Sequence, residues 1–87
     1  MAETFPIGDM SLAAYGYLAG YPLIGVEKAR DGYARFIFRT EDAREMQAAY
    51  RDPRTTVPLQ QYLAALKYLQ TLRSETEPGT TQWLANV

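Results

Sequence analysis

Cysteine and histidine are both absent from the 87 residues of this chain. Their absence removes thiol nucleophiles, imidazole bases, zinc sites built on Cys or His, and haem held by either residue. Disulfides are excluded with them, so burial must hold a domain of this size together. A cysteine-free chain also suits a reducing, cytoplasmic compartment. Long apolar runs are lacking: none approaches the roughly 20 residues of a membrane-spanning helix. Residues 1–8 do not have the basic start of a secretory signal, and no membrane partner is expected. Charge of one sign is not in excess either, since nine Lys plus Arg against ten Asp plus Glu give a net charge of −1. Without a long-range basic field, nucleic acid would have to be held by a local patch.

What the chain does have is apolar and aromatic mass: 47% hydrophobic residues, among them seven Tyr, three Phe and one Trp. That suffices for one small core, assigned to a single domain over residues 1–73 with a C-terminal tail, 74–87. Residues 4–7 read as a short extended piece that Pro6 confines to an edge or a strand start. Asp9 is a good N-cap for a helix over 10–19, closed by Gly20, with Met10, Ala13, Ala14, Tyr17 and Leu18 on its inward stripe. Two strands follow, 22–28 and 33–39, joined by a turn whose Asp31-Gly32 pair supplies the backbone a tight hairpin needs. Alternation along the second strand sends Ala34, Phe36 and Phe38 to one face and Tyr33, Arg35, Ile37 and Arg39 to the other; the two phenylalanines choose the core side.

Thr40 then caps a helix over 41–51 with Ala43, Met46, Ala49 and Tyr50 inward, and Asp52-Pro53 stops it. Residues 55–57 read as a brief edge strand. Pro58 opens a third helix to 73 whose Leu59, Tyr62, Leu63, Leu66, Leu69 and Leu72 form the strongest periodic signal in the sequence. The remainder begins as a linker and ends in Trp83-Leu84. No internal repeat interrupts this order. The predicted fold is α+β, a two-layer β-α-β-β-α-β-α domain with its helices on one face of a small, mainly antiparallel sheet. Its competitor is a helical hairpin carrying an isolated β-ribbon.

Three groups of residues are candidates for function. Asp31-Gly32-Tyr33-Ala34-Arg35-Phe36-Ile37-Phe38 resembles the central strand of RNA-recognition motifs at Gly32, Tyr33, Ala34 and Phe38. It departs where Asp31 replaces a basic residue and Arg35 a stacking aromatic, and Pro6 stands where the first strand should offer a second aromatic. On this reading Lys28, Arg30, Tyr33, Arg35 and Arg39 form a single-stranded nucleic-acid surface on the outer face of the 22–39 hairpin. The plainer reading is an ordinary amphipathic strand after a tight turn. The second group, Glu41, Asp42 and Glu45, is explained by the helix dipole and solvation, without catalysis or metal binding. The third is the aromatic excess: Tyr15 and Tyr68 lie off their helical stripes, and with Trp83 and Leu84 they are the candidate interface residues, Trp83 docking in a groove beside the third helix or on a second subunit.

The pattern Asp9-x-x-Leu12-Ala13-Ala14-Tyr15-x-x-x-x-Gly20-Tyr21-x-Leu23-x-Gly25-Val26-Glu27, then Phe36-x-Phe38, Tyr50 and the Leu-rich last helix, resembles a small family of uncharacterised bacterial and phage proteins. The likeness spans residues 5–73 and implies a cytoplasmic protein carried by a phage or another mobile element, with no activity, cofactor or catalytic residue attached. Residues and resemblance together predict a non-enzymatic binding module, without cofactor or metal. Its partner is a protein or a second copy of itself, a homodimer formed through the 55–57 edge or the exposed side of the third helix. Nucleic acid is the alternative partner.

Overall fold

In a computed structural model, which describes residues 3–84, the chain forms a two-layer α+β domain. Strands β1 (Thr4–Ile7), β2 (Gly25–Lys28), β3 (Ala34–Arg39) and β4 (Thr80–Trp83) make one sheet in the order β1-β3-β2-β4, antiparallel throughout. Helices α1 (Met10–Leu18), α2 (Thr40–Arg51) and α3 (Leu59–Glu75) cover one face of it. None of these helices is long and apolar enough to cross a membrane.

The order of the last two elements is exchanged relative to the sequence reading: the fourth strand follows the third helix. Residues 55–57 are not a strand. Local hydrogen bonding claims that segment first. The Asp52 carboxylate accepts from the Arg54 backbone at 2.9 Å and from its guanidinium at 3.1 and 3.0 Å, and Thr55 Oγ1 donates to the Ala49 carbonyl at the end of α2. Such Asx turns offer the backbone an alternative to a ladder. Residues 74–84 of the expected tail are likewise part of the domain; the rest of it lies outside the described residues. Helix α3 runs two residues past 73, turns at Thr76, and returns through Gly79 as β4 against β2.

The core lies between sheet and helices. Ile7, Val26, Phe36 and Phe38 project from the sheet onto Leu12, Ala13, Ala14, Ala43, Met46, Ala65, Leu69 and Leu72. The alternation read from β3 holds for Ala34, Phe36 and Phe38, all buried. Asp9 caps α1 as expected, its carboxylate accepting from the Ser11 and Leu12 amides at 2.9 and 3.4 Å. Thr40 does not cap α2; it is the first helical residue, and its amide donates to the Glu3 carbonyl at the start of the β1–β3 ladder.

Two helical stripes are rotated from the expected ones. Helix α1 lies between α2 and α3 and also crosses β1 and β3, so neighbours approach it from several sides. Its buried residues are Leu12, Ala13, Ala14 and Gly16, while Tyr17 sits at the rim, 39% exposed. Gly16 is small for a reason: Met46 of α2 fills the space a side chain there would occupy. In α3 the buried line is Ala65, Leu69 and Leu72 with Tyr62 and Leu66 beside it, leaving Leu59 and Leu63 at 65% and 47% exposure. The Tyr62 hydroxyl donates to the Ser11 carbonyl of α1 at 3.0 Å, which fixes that rotation. Tyr50 of α2 is exposed as well, its ring 6.0 Å from that of Tyr15.

Gly16→Ala is expected to destabilise the domain by about 1–3 kcal/mol through overpacking against Met46, although Ala favours a helix by about 1 kcal/mol over Gly. Urea unfolding of the two proteins measures the difference.

Candidate interaction surface

The face of the sheet opposite the helices is built by alternation. Directly opposed residues of neighbouring strands share a face, which places Pro6, Ile37, Gly25 and Trp83 in one row across all four strands. A second row holds Arg35, Glu27 and Thr81, and Arg39 stands beside Thr4 at the far end. Among the described residues, no helix covers these rows. Ile37 is nevertheless only 4% exposed. The neighbouring position, Gly25, lets the Trp83 indole lie over the sheet: a Cβ on Gly25 would come within 3.0 Å of the ring and 2.8 Å of the Gln82 carbonyl. Trp83 itself remains 59% exposed.

Of the five residues expected to form a nucleic-acid surface, Lys28, Arg30, Tyr33 and Arg35 line one cleft of about 380 Å3 together with Glu27 and Thr81, and Arg39 stands apart at the far end of β3. Tyr33, Arg35 and Arg39 do point outward. Lys28 is on the helix-covered side, where its Nζ donates to the Arg73 carbonyl in the last turn of α3 at 3.0 Å. A cation at that end of a helix meets both the free carbonyls and the negative end of the dipole. Arg30 sits in the hairpin turn with its stem beside Gly79. Arg35 faces the Glu27 carboxylate at 3.9 Å, and its guanidinium lies 5.6 Å from the centre of the Tyr33 ring. The Tyr33 hydroxyl end packs against Gly8. Two of the four cations are thereby matched within the fold, one to a carbonyl and one to a carboxylate.

Of the four candidate interface residues, Tyr68 and Leu84 come together, and Tyr15 and Trp83 lie apart from them. Tyr15 is half-buried between α1 and α2. Trp83 is on the open sheet face and not in a groove beside α3, because β4 turns its odd-numbered residues away from the helices. Leu84, the next residue, turns the other way and is the one that packs beside α3. It helps line an apolar groove of about 730 Å3 with Tyr17, Tyr21, Leu23, Ala65 and Tyr68. Tyr17 and Tyr68 stack across the mouth of this groove, ring centres 4.9 Å apart. Sequence reasoning missed Tyr17 as a surface residue because it completes a helical stripe on paper. The signal that could have revealed the Trp83 row is the glycine at 25, inside a strand and opposite a large ring.

The two edges of the sheet differ. Thr40 N–H donates to the Glu3 carbonyl at 3.0 Å, so by alternation Glu3, Phe5 and Ile7 turn their backbone groups to β3, and Thr4 and Pro6 turn theirs to solvent. Pro6 leaves that edge one donor short. At the other edge Leu84 N–H donates to the Ile24 carbonyl at 2.9 Å, so Leu84 and Gln82 face β2 while Thr81 and Trp83 present N–H and C=O outward. Nothing in Thr80–Trp83 is charged. Among the described residues, no group of acidic side chains is arranged to hold a metal ion, and Glu41, Asp42 and Glu45 lie along the first turns of α2.

Comparison of the chain with protein-family models, with curated proteins and with solved structures gives no match. The fold and its surfaces therefore carry the functional argument alone.

Burial raises the pKa of both Tyr68 and Tyr21 above the ordinary phenol value. Tyr17 and Glu75 add to the effect at Tyr68, and Glu45, Tyr15 and Asp42 at Tyr21. A raised folded-state value means the neutral phenols favour folding. Their contribution is complete below the unfolded pKa of about 10 and is lost as pH climbs through the folded value. The melting temperature is expected to fall above pH 10, and less steeply in Tyr68→Phe, which has no proton to lose; thermal melts at stepped alkaline pH measure both slopes.

Proposed function

We propose that the protein is a non-catalytic contact module that works by self-association. The observation that carries this reading is the β4 side of the sheet, where a half-exposed Trp83 sits on an uncovered face beside a strand edge with free, uncharged backbone groups. Soluble proteins usually blunt such edges with charge, proline or a covering loop. Among the described residues, β1 carries Pro6 and β4 has neither charge nor proline of its own. An exposed indole next to unpaired peptide groups combines the two commonest sources of contact energy, aromatic burial and main-chain hydrogen bonding. The non-catalytic half of the reading rests on the absence of His and Cys.

A homodimer formed through a 55–57 edge strand is set aside, since that segment, which follows a turn at 53–54, forms no strand. The exposed Leu59 and Leu63 of α3 are a second apolar surface, without main-chain groups to fix a register. A nucleic-acid partner is disfavoured by the geometry. Lys28 and Arg35 have partners within the fold, Glu27 places negative charge beside Arg35, and β1 offers Thr4 and Pro6 to this face where a second stacking ring would be needed.

Light scattering over micromolar to high-micromolar concentration is expected to show the mass rising from 9.8 kDa toward twice that value; a mass fixed at 9.8 kDa would refute self-association. Single-stranded oligonucleotides are expected to show no saturable binding at low salt. Binding that loses about 1–3 kcal/mol on Tyr33→Ala and falls steeply with added salt would instead establish the nucleic-acid reading.

A further inference from the structure

We infer that two copies of this chain join through β4, edge to edge and antiparallel about a two-fold axis, into one continuous eight-stranded sheet. The inference rests on the self-association reading and specifies its site. The free groups of β4 belong to Thr81 and Trp83, which flank Gln82 symmetrically. A second β4 running the opposite way, with the axis passing between the two Gln82 residues, brings Thr81 opposite Trp83 of the other copy at both ends. Each of these pairs exchanges two N–H to C=O bonds, so four peptide hydrogen bonds form and every outward group of Thr81 and Trp83 is satisfied. A register shifted by one residue would set outward groups against inward ones, so the arrangement is self-selecting.

Side chains agree with this register. On the open face, the indole of Trp83, already lying over Gly25, gains Thr81 of the second copy as its cross-strand neighbour. On the helix side Gln82 meets Gln82. The buried Thr76 Oγ1 lies 2.8 Å from the Leu72 carbonyl and 3.0 Å from Gln82 Oε1, and its single proton can be donated to either acceptor. The rest of the Gln82 amide is available to its counterpart. No charge in Thr80–Trp83 opposes the approach, and a net charge of −1 per chain adds little repulsion. A second copy fits better than a foreign strand because the hydrogen-bonding pattern is its own complement about Gln82. The assembly also closes: a head-to-tail chain would require β4 to pair with β1, whose edge lacks the Pro6 donor.

The test uses Thr81→Pro. The Thr81 amide makes no ladder bond to β2, so proline there removes the edge donor and leaves the β2–β4 hydrogen bonds in place. Two donors are lost per dimer, and the dissociation constant measured by sedimentation is expected to rise about ten- to hundredfold. Thr81→Ala, which keeps the amide and loses only the side chain opposite Trp83, should raise the constant less than Thr81→Pro does. Amide exchange on the unmodified protein provides a readout that does not depend on the variant folding: Thr81 and Trp83 should gain protection as concentration rises, while the outward Thr4 amide of β1 should not. A dimer whose constant is unchanged in a folded Thr81→Pro, or whose Thr81 and Trp83 amides exchange freely, overturns the β4 pairing and leaves self-association standing. A protein that remains a monomer throughout overturns both.

Discussion

Everything in this fold hangs on β3. It is the longest strand, it pairs with β2 through Ala34–Ile37 and with β1 through Phe36–Arg39, and it carries Phe36 and Phe38 into the core at 1% and 0% exposure. Full burial of side chains of this size contributes about 1.5–3 kcal/mol each. The helices can only cover the sheet by packing on that pair, which sets the helix face and, by exclusion, the open face. Because β3 is also closed on the open side by Ile37, the Pro6–Ile37–Gly25–Trp83 row becomes a second, thinner apolar layer. A small domain thus has one deep core and one shallow surface that a partner could deepen.

Close approach between helices is the second constraint. Ala13, Ala14 and Gly16 let α2 and α3 come near α1, and Met46 occupies the space left by Gly16. Small residues at the contact force the large ones to its margins. Tyr17 and Tyr68 therefore stack at a rim, and Tyr15 rests against Tyr50. The aromatic excess of the sequence ends mostly as half-covered rings around the helices, with hydroxyls reaching water or a backbone carbonyl, as at Tyr62. Fewer rings are left for a partner than their number suggests.

Charge follows the same economy. Lys28 closes the C-terminus of α3, Arg35 is shared between Glu27 and the Tyr33 ring, and Arg54 folds back on Asp52. In a chain with nearly balanced charge, cations that look like a patch in sequence find local partners once strands are paired. Residues that appear consecutive on a hairpin are also divided between its two faces, and that division moved Lys28 from the outside to the inside.

The sequence by itself determined what depends on near neighbours. Asp9 as a cap, the Asp31-Gly32 turn, the Phe36 and Phe38 alternation and the three helices are written in spacings of one to four residues, and a single α+β domain follows from them. Tertiary structure decided the rest. The rotation of α3 depends on a hydrogen bond between Tyr62 and Ser11, 51 residues apart. The identity of the fourth strand depends on whether 55–57 or 80–83 finds a free edge, and a local Asp52–Arg54 turn removed the first from contention. Linker-like composition in 74–81 gave no hint of a strand, because Thr80–Trp83 is extended only by virtue of β2 beside it. The side of the sheet on which Trp83 falls was fixed by register, and register is a property of two strands, never of one.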